Sequence, residues 1–354
     1  MRVREQEFTL AEAFKKAGRA TAAFSESPYI IASTGFDEGF DTFNSHEAFR
    51  RNERNPRSTL DLMEDAKSWI VSNGDRPWFG YVHLLRPHSP YDPPDPYLTR
   101  FAEDDQGRFD PRKELEILQR SRGASPVSPS DHAFMTAYYD GNLHYADRLV
   151  GEFIELLRSE KLLEKTLVII TSDHGEAFMQ HGRFGHGFRL YEELLHVPLI
   201  FVVPNLVMPR RNSSSLHVEM IDVYPTLVDI FDLEPPYEPQ GRSLLPVMLG
   251  EKQNQKQTTY AQTMFATSIS TRIGQIKVIS HLDKRLENFD HHEVYDLEKD
   301  PGETSNVFST EKDIQHHLAK VRQFVQDWLL NETLPASTLS DEEIENLESL
   351  GYLQ

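Results

Sequence analysis

Cysteine is absent from this chain of 354 residues. That excludes a disulfide framework, a thiolate metal site and a cysteine nucleophile. Also missing is any apolar run approaching the roughly 20 residues of a membrane-spanning helix. Met1-Arg2-Val3-Arg4-Glu5 is not followed by the apolar stretch of a signal peptide. Positive charge is scarce: 37 Lys and Arg face 56 Asp and Glu, for a net charge of −19. Such a balance argues against nucleic acid or an anionic membrane as the main partner. An anionic substrate would need a metal ion and local cationic or imidazole groups to offset the general field. What the chain does hold, 38% apolar and 26% charged residues, suits a soluble globular protein with one large core, or a large and a small one.

The hydrophobic pattern alternates between strand and helix up to about residue 235. Thr9–Ala17 reads as a helix with Thr9 as N-cap and Gly18 as its stop. Ala20–Phe24 reads as a strand, Pro28–Asn55 as an aromatic loop, and Thr59–Ser72 as a helix. Trp78–Leu85 is a buried strand, and the five prolines of Pro87–Pro96 make an irregular surface segment. The polar stretch Asp104–Ser130 reads as an excursion, Asp131–Leu157 as a long amphipathic helix. Leu167–Thr171 and Pro198–Val203 are strands, and Ile221–Phe231 a helix. The pattern predicts an α/β fold with a mainly parallel sheet sandwiched by helices over residues 1–235. Beyond it, Thr258–Phe265, Ser270–Ser280 and His292–Leu297 predict a small antiparallel sheet in a subdomain over 236–354. Helices over Thr310–Leu329 and Asp341–Leu350 complete that part.

Chemistry concentrates where the apolar run Val168–Thr171 ends in Ser172-Asp173-His174-Gly175-Glu176. A buried strand that delivers Asp-His at its C-terminal end presents a carboxylate and an imidazole to one divalent cation. The carboxylate suits a hard ion such as Ca²⁺ or Mg²⁺, whereas the imidazole suits a softer ion or a hydrogen bond to substrate. The plainer alternative is a helix-capping Asp beside an ordinary loop His. His88 follows the Trp78–Leu85 strand and could converge on the same sheet edge, to bind an ester oxygen or act as general acid. Its alternative is a surface His in a proline-rich loop. His186 stands between Gly185 and Gly187, which would let the backbone approach a ligand closely, and its imidazolium would offset substrate charge. His83 reads as a core histidine and His181 as a loop one. Asp140 and His144 share a helix face and read as a local charge pair rather than a second metal site. Glu176, Glu192 and Glu193 read as solvated carboxylates.

Taken together, these segments resemble the sulfatase family of the alkaline-phosphatase superfamily. WFGYVHLLRPHSPYDPP is similar to the family's strand and Pro-His motif, and YYDGNLHYADRLVGEFIELL…KTLVIITSDHGE to its helix, strand and metal loop. TLAEAFKKAGRATAAF, TGFDEGFDTF, LYEELLHVPLIFVVP, IDVYPTLVDIF, GRSLLPVM, EVYDLEKDPGETSNV and ENLESLGYL occur in the family's usual order. The resemblance implies that Asp173 and His174 are metal ligands, that His88 contacts substrate, and that His186 stands where many members carry a lysine. A histidine there makes the local charge pH-dependent. The implied cofactor is a divalent metal, Ca²⁺ first with Mg²⁺ or Mn²⁺ as alternatives. The implied partner is a small anionic ester of the sulfated-sugar or aryl-sulfate class.

One departure from the family lies at the front. Members carry a strand with metal-binding Asp and, about fifty residues on, a C/S-x-P-x-x-R element whose Cys or Ser becomes formylglycine. Here eight residues precede the TLAEAF helix, and Thr333-Leu334-Pro335 is the one Ser or Thr two places before a proline. The expectation is therefore a chain truncated at its N-terminus, lacking the nucleophile and half the metal ligands. It should turn over neither nitrophenyl sulfate nor nitrophenyl phosphate and should have limited solubility. The implied function is metal-dependent sulfate ester hydrolysis. The alternatives are a phosphate or phosphonate ester hydrolase and a non-catalytic remnant of the fold.

Overall fold

The computed structural model describes residues 3, 7–45, 49–50, 53–54, 58–101, 110–123, 126–187, 189–204, 216–251, 258–263, 267–282 and 289–331. Residues 210–215, the helix expected over Asp341–Leu350, Thr333–Pro335 and parts of the 104–130 stretch lie outside them.

Its centre is the strand Ala20–Ser25, buried at every position. Small residues make this possible: Ala22 and Ala23 are sealed completely. Ala22 and Phe24 point to one side, against Leu62, Met63 and Ala66 of the helix Ser58–Asn73 and Tyr145 and Leu149 of the helix Pro129–Ser159. The opposite side meets the helix Leu10–Lys16, started by a capping box between Thr9 and Glu12. Phe14 of that helix stacks on Phe79 at 4.6 Å between ring centroids, a pairing worth about 0.5–1.5 kcal/mol beyond its area burial. A strand covered on both faces is what a near-continuous apolar run demands.

Strand Ala20–Ser25 pairs in parallel with Trp78–His83 on one side and Thr42–Ser45 on the other. The second partner falls inside the stretch read as aromatic loop. Its sequence, TFNS, is too short and too polar to announce a strand, and the pairing comes from its neighbour.

Val168–Thr171 and Leu199–Val202 pair with each other, and the pairing is antiparallel. A parallel pair needs a crossover of a dozen or more residues, usually an α-helix. The connection here holds a two-strand ladder, Ala177–Phe178 with Phe184–Gly185, and the one-turn helix Glu192–Leu195, but no helix long enough for a crossover.

The Pro129–Ser159 helix starts at a capping box between Ser128 and Asp131 with Pro129 in its first turn. Its buried stripe runs Phe134, Tyr138, Gly141, Asn142, Tyr145 and Leu149. A β-carbon on Gly141 would stand 2.5 Å from the Tyr97 carbonyl, so only glycine admits the proline-rich segment this close. Part of the presumed excursion is itself a helix, Pro111–Arg122, N-capped by Asp110, with Ile117 in the core.

The C-terminal sheet is a four-stranded antiparallel meander, Thr258–Gln262, Ser268–Ile273, Ile276–Leu282 and Phe289–Asp296. The single run expected over Ser270–Ser280 is two strands, separated at Gly274, where φ is +61°. Val278 and Val294 pack under Ile314 and Leu318 at the start of the helical segment that continues as Gln315–Asn331. Ile279 and Tyr295, on the other face, pack on Leu190. Among the described residues no helix is long and apolar enough to cross a membrane.

Candidate active site

The loop after Val168–Thr171 is shaped by contact with its own return segment. Gly175 N–H donates to the Leu194 carbonyl at 2.9 Å. A β-carbon on Gly175 would fall 2.1 Å from the Glu193 carbonyl oxygen. Any other residue would push the Asp-His pair out of place.

Asp173 accepts the His174 backbone N–H at Oδ1, 3.0 Å away. His174 Nδ1 lies 2.8 Å from the Gly175 carbonyl. A carbonyl only accepts, so Nδ1 carries the proton and Nε2 is the lone-pair nitrogen of the neutral ring. That nitrogen stands 3.8 Å from Asp173 Oδ2. Crowding by the surrounding loops opposes ionisation of Asp173, but the His174 and His83 imidazoles more than offset it, and the carboxyl sits below its ordinary range.

His88 arrives from the other side, on a loop clamped by buried polar groups. Asn142, sealed within the long helix, donates to the Pro87 carbonyl at 3.1 Å and accepts from Arg86. Glu26 accepts the Leu85 N–H at 3.0 Å and the Thr59 hydroxyl at 2.6 Å. Glu114 accepts the Ser89 hydroxyl at 2.6 Å. The His88 Nδ1–H donates to the Ser89 carbonyl at 2.6 Å. Burial, then the neighbouring His186, lower its pKa to about 4, so the ring is neutral at physiological pH.

His186 completes the group. Its ring stacks on His174 with centroids 3.9 Å apart and meets His88 edge-on at 4.9 Å. His88 and His174 are 6.4 Å apart. Gly185 and Gly187 serve a different purpose from the expected close approach. Both have positive φ, and a β-carbon on Gly187 would meet nothing within 4 Å. They supply left-handed backbone that turns the chain on either side of the imidazole.

Glu176 is not solvated. Its side chain is 6% exposed and accepts the His186 Nδ1 proton at 3.0 Å. Burial opposes its charge, but the imidazoles of His186, His88 and His174 hold the carboxyl below its usual range. The other two glutamates are also paired: Glu193 with His181 at 2.7 Å and Glu192 with Lys277 at 2.8 Å. His181 is a structural residue, stacked on Tyr191 at 3.6 Å. His83 bonds the Tyr81 hydroxyl at 2.9 Å and lines the cleft beside Asp173, so it is only half in the core. The Asp140–His144 pair joins no three-ligand group among the described residues.

A cleft of about 130 Å³ opens between the His88 loop and the Asp173–Glu176 loop. A larger one of about 1100 Å³ is walled by Arg189, Arg272, Lys277 and His217 among others. Asp173 and His174 line both. These two residues fit one half of a cation site. Among the described residues no third His, Asp or Glu lies close enough to close a triad with them, and Ca²⁺ prefers about six to eight oxygens.

A family model described as Sulfatase matches residues 2–233, and a second, N-sulphoglucosamine sulphohydrolase, C-terminal, matches residues 179–327. The chain belongs to the sulfatase family. Rat (Rattus norvegicus) arylsulfatase K is 32% identical over 193 residues, which is 51% of this chain and 33% of the relative. The chain thus spans about a third of the length of the first curated sulfatases it matches. The phosphonate monoester hydrolase of Agrobacterium radiobacter superposes with a TM-score of 0.68 at 19% identity, over 96% of this chain and 84% of that one. A protein solved with its substrate D-glucosamine-2-N,6-O-disulfate also reaches 0.68, at 18% identity over 96% and 85%. At such identities the likeness is one of fold: an alkaline-phosphatase-like α/β sulfatase architecture with a C-terminal antiparallel sheet.

In this sulfatase chain Glu176, expected to be solvated, and Asn142 are two supporting residues that did not stand out in the sequence. Asn142 carried a legible signal, a polar residue inside an otherwise apolar helical stripe, which must find partners when buried. Glu176 carried none beyond its adjacency to the Asp-His pair.

Proposed function

We propose that this chain handles sulfate esters, in the reaction R–O–SO₃⁻ + H₂O → R–OH + SO₄²⁻ + H⁺. The observation that carries the reading is the meeting of three imidazoles, from His88, His174 and His186, beside Asp173 in a protein of net charge −19. A tetrahedral oxyanion needs such a local reserve of donors against the general field.

In this reading Asp173 and His174 are two ligands of a divalent cation, Ca²⁺ first and Mg²⁺ or Mn²⁺ as alternatives. The cation, when bound, polarises an ester oxygen. His186, with its Nδ1 proton committed to Glu176, offsets substrate charge. His88 contacts the ester oxygen. Its Nδ1 proton is committed to Ser89, so donation from Nε2 requires the imidazolium, and the sulfate's charge favours that form. No described residue is assigned the nucleophile's role; Ser172, beside the pair, donates its hydroxyl proton to the His174 carbonyl. Residues 1–235 carry the imidazoles, and the 236–354 part contributes Arg272 and Lys277 to the wall of the larger cleft. The Arg272 guanidinium, 25% exposed, suits a sulfated sugar or an aryl sulfate, whereas Lys277 is taken up by Glu192 and Glu303.

Calorimetric titration of the Ca²⁺-loaded chain with nitrophenyl sulfate and nitrophenyl phosphate tests this. The reading expects the sulfate ester to bind and His88→Ala and His186→Ala each to weaken it at least tenfold. Preference for the phosphate ester would favour the phosphate or phosphonate alternative. Binding of neither would leave a non-catalytic remnant.

A further inference from the structure

Three residues on one face of the C-terminal sheet form a group unrelated to the imidazole cluster. Ser268, His281 and His291 stand opposite one another on three successive strands, in a single row across the sheet. Glu293 lies two residues beyond His291, hence on the same face. The ligand atoms of His281, His291 and Glu293 all fall within 4.8 Å of one another. The ladder between the last two strands shifts register just after His281, an irregularity that re-aims side chains at a strand's end.

We propose that His281, His291 and Glu293 bind a transition-metal ion of the Zn²⁺ class, with water in the fourth position. Two imidazoles and one carboxylate are a donor set that suits Zn²⁺ rather than the hard, oxygen-seeking Ca²⁺. The outer contacts already present are those such a site requires. His281 Nδ1 is bonded to the Ser268 hydroxyl at 2.9 Å, which aims Nε2 at Glu293 Oε1, 2.7 Å away. A hydroxyl both donates and accepts. Ser268 can therefore hold the ring before the ion arrives, with the proton on Nε2, and after, with the proton on Nδ1. Glu293 Oε2 accepts the hydroxyl protons of Tyr191, at 2.8 Å, and Tyr295, so its two oxygens have separate duties. Burial opposes the Glu293 charge, yet the bonds from His281, Tyr295 and Tyr191 hold the carboxyl well below its usual range. His291 is the ligand that has to move. Its ring now stacks on His281 at 4.0 Å, nearly parallel, and two parallel ring planes cannot both contain one ion. The side chain is 57% exposed, so it can turn.

Three residues link the site to the Asp173–Glu176 loop. Tyr191, held by Glu293, stacks on His181, which pairs with Glu193 of the segment that shapes the Asp173–Glu176 loop. An ion there would fasten the last two strands to that segment.

The test is calorimetric titration of the tag-free full chain with Zn²⁺ alone, followed by thermal melts with and without it. It is run in an Asp173→Asn/His174→Ala background, so that binding at the other imidazoles does not obscure the result. One site is expected to persist in that background and to raise the melting temperature. His291→Ala, at an exposed position that leaves the fold intact, should weaken it at least tenfold and abolish the thermal shift. His281→Ala should do the same, and Ser268→Ala should weaken it roughly ten- to a hundredfold. Ca²⁺ in excess should not compete. Unchanged Zn²⁺ affinity in His291→Ala and His281→Ala, or loss of all Zn²⁺ binding in the Asp173→Asn/His174→Ala background, would overturn the proposal.

Discussion

His186 donates its Nδ1 proton to Glu176 across 3.0 Å, and both side chains are almost closed to solvent, at 10% and 6% exposed. The bond orients the ring that stacks on His174 and keeps an anion beneath the three imidazoles. Glu176→Gln keeps the shape and removes the charge. It should release the His186 orientation and weaken sulfate-ester binding roughly tenfold or more. Titration of the variant against nitrophenyl sulfate checks this; affinity equal to the parent's would mean that Glu176 only packs.

The contact of Gly175 with the Glu193 carbonyl makes the loop intolerant of a methyl group. Gly175→Ala should cost about 3 kcal/mol or more and displace Asp173 and His174 together. Urea melts give the first number, and Ca²⁺ titration shows whether the ligand pair has moved. A variant as stable as the parent with unchanged Ca²⁺ binding would contradict the geometry.

Lys277, 1% exposed, bridges Glu192 and Glu303, each at 2.8 Å. It joins the C-terminal sheet to the segment behind the Asp-His loop. Charge and surroundings divide the pair: burial raises Glu303 despite Lys277, whereas at Glu192 burial is outweighed by Lys277 together with Arg272 and His196, and the carboxyl is lowered. Lys277→Met removes the cation and leaves two carboxylates facing each other. The loss should be about 3–5 kcal/mol by denaturant unfolding. Glu303→Gln in the same background should restore part of it.

Acid should destabilise the protein through buried neutral histidines. His317 bonds the Thr271 hydroxyl at 2.8 Å, and burial with neighbouring His316 lowers its pKa to about 4. Between that value and the ordinary 6.5 the unfolded chain binds the extra proton, so stability rises with pH and is full above about 6.5. As pH falls from 6.5 towards 4, roughly 3 kcal/mol is lost to this residue. His88, also near 4, adds in the same direction. His317→Gln should flatten the fall in melting temperature across that window; an unchanged slope would assign the acid sensitivity elsewhere.

The strands and helices that position the site could be read from the chain because their apolar patterns are unbroken. Ala20–Ser25, Trp78–His83 and Val168–Thr171 are short runs followed by the loops that hold chemistry. Thr42–Ser45 was not readable, since its pairing is lent by the neighbouring strand rather than by its own side chains. The direction of Leu199–Val202 also lay beyond the pattern: periodicity marks a strand, and only the missing crossover helix tells which way it runs. At the site, the residues with unusual local chemistry, Asp173-His174, His88 and His186, stood out. Their supports did not, because Glu176, Asn142, Glu26 and Glu114 look like ordinary polar residues until burial gives each of them a partner. His281, His291 and Glu293 were hidden for a similar reason: only the pairing of two strands brings them together.

A crystal structure of the chain grown with Ca²⁺ and a non-hydrolysable sulfate-ester analogue tests the account most directly. It should place the cation on Asp173 and His174, with the sulfate oxygens within hydrogen-bonding distance of His88 and His186. An ester bound elsewhere, with nothing between those four side chains, would contradict it.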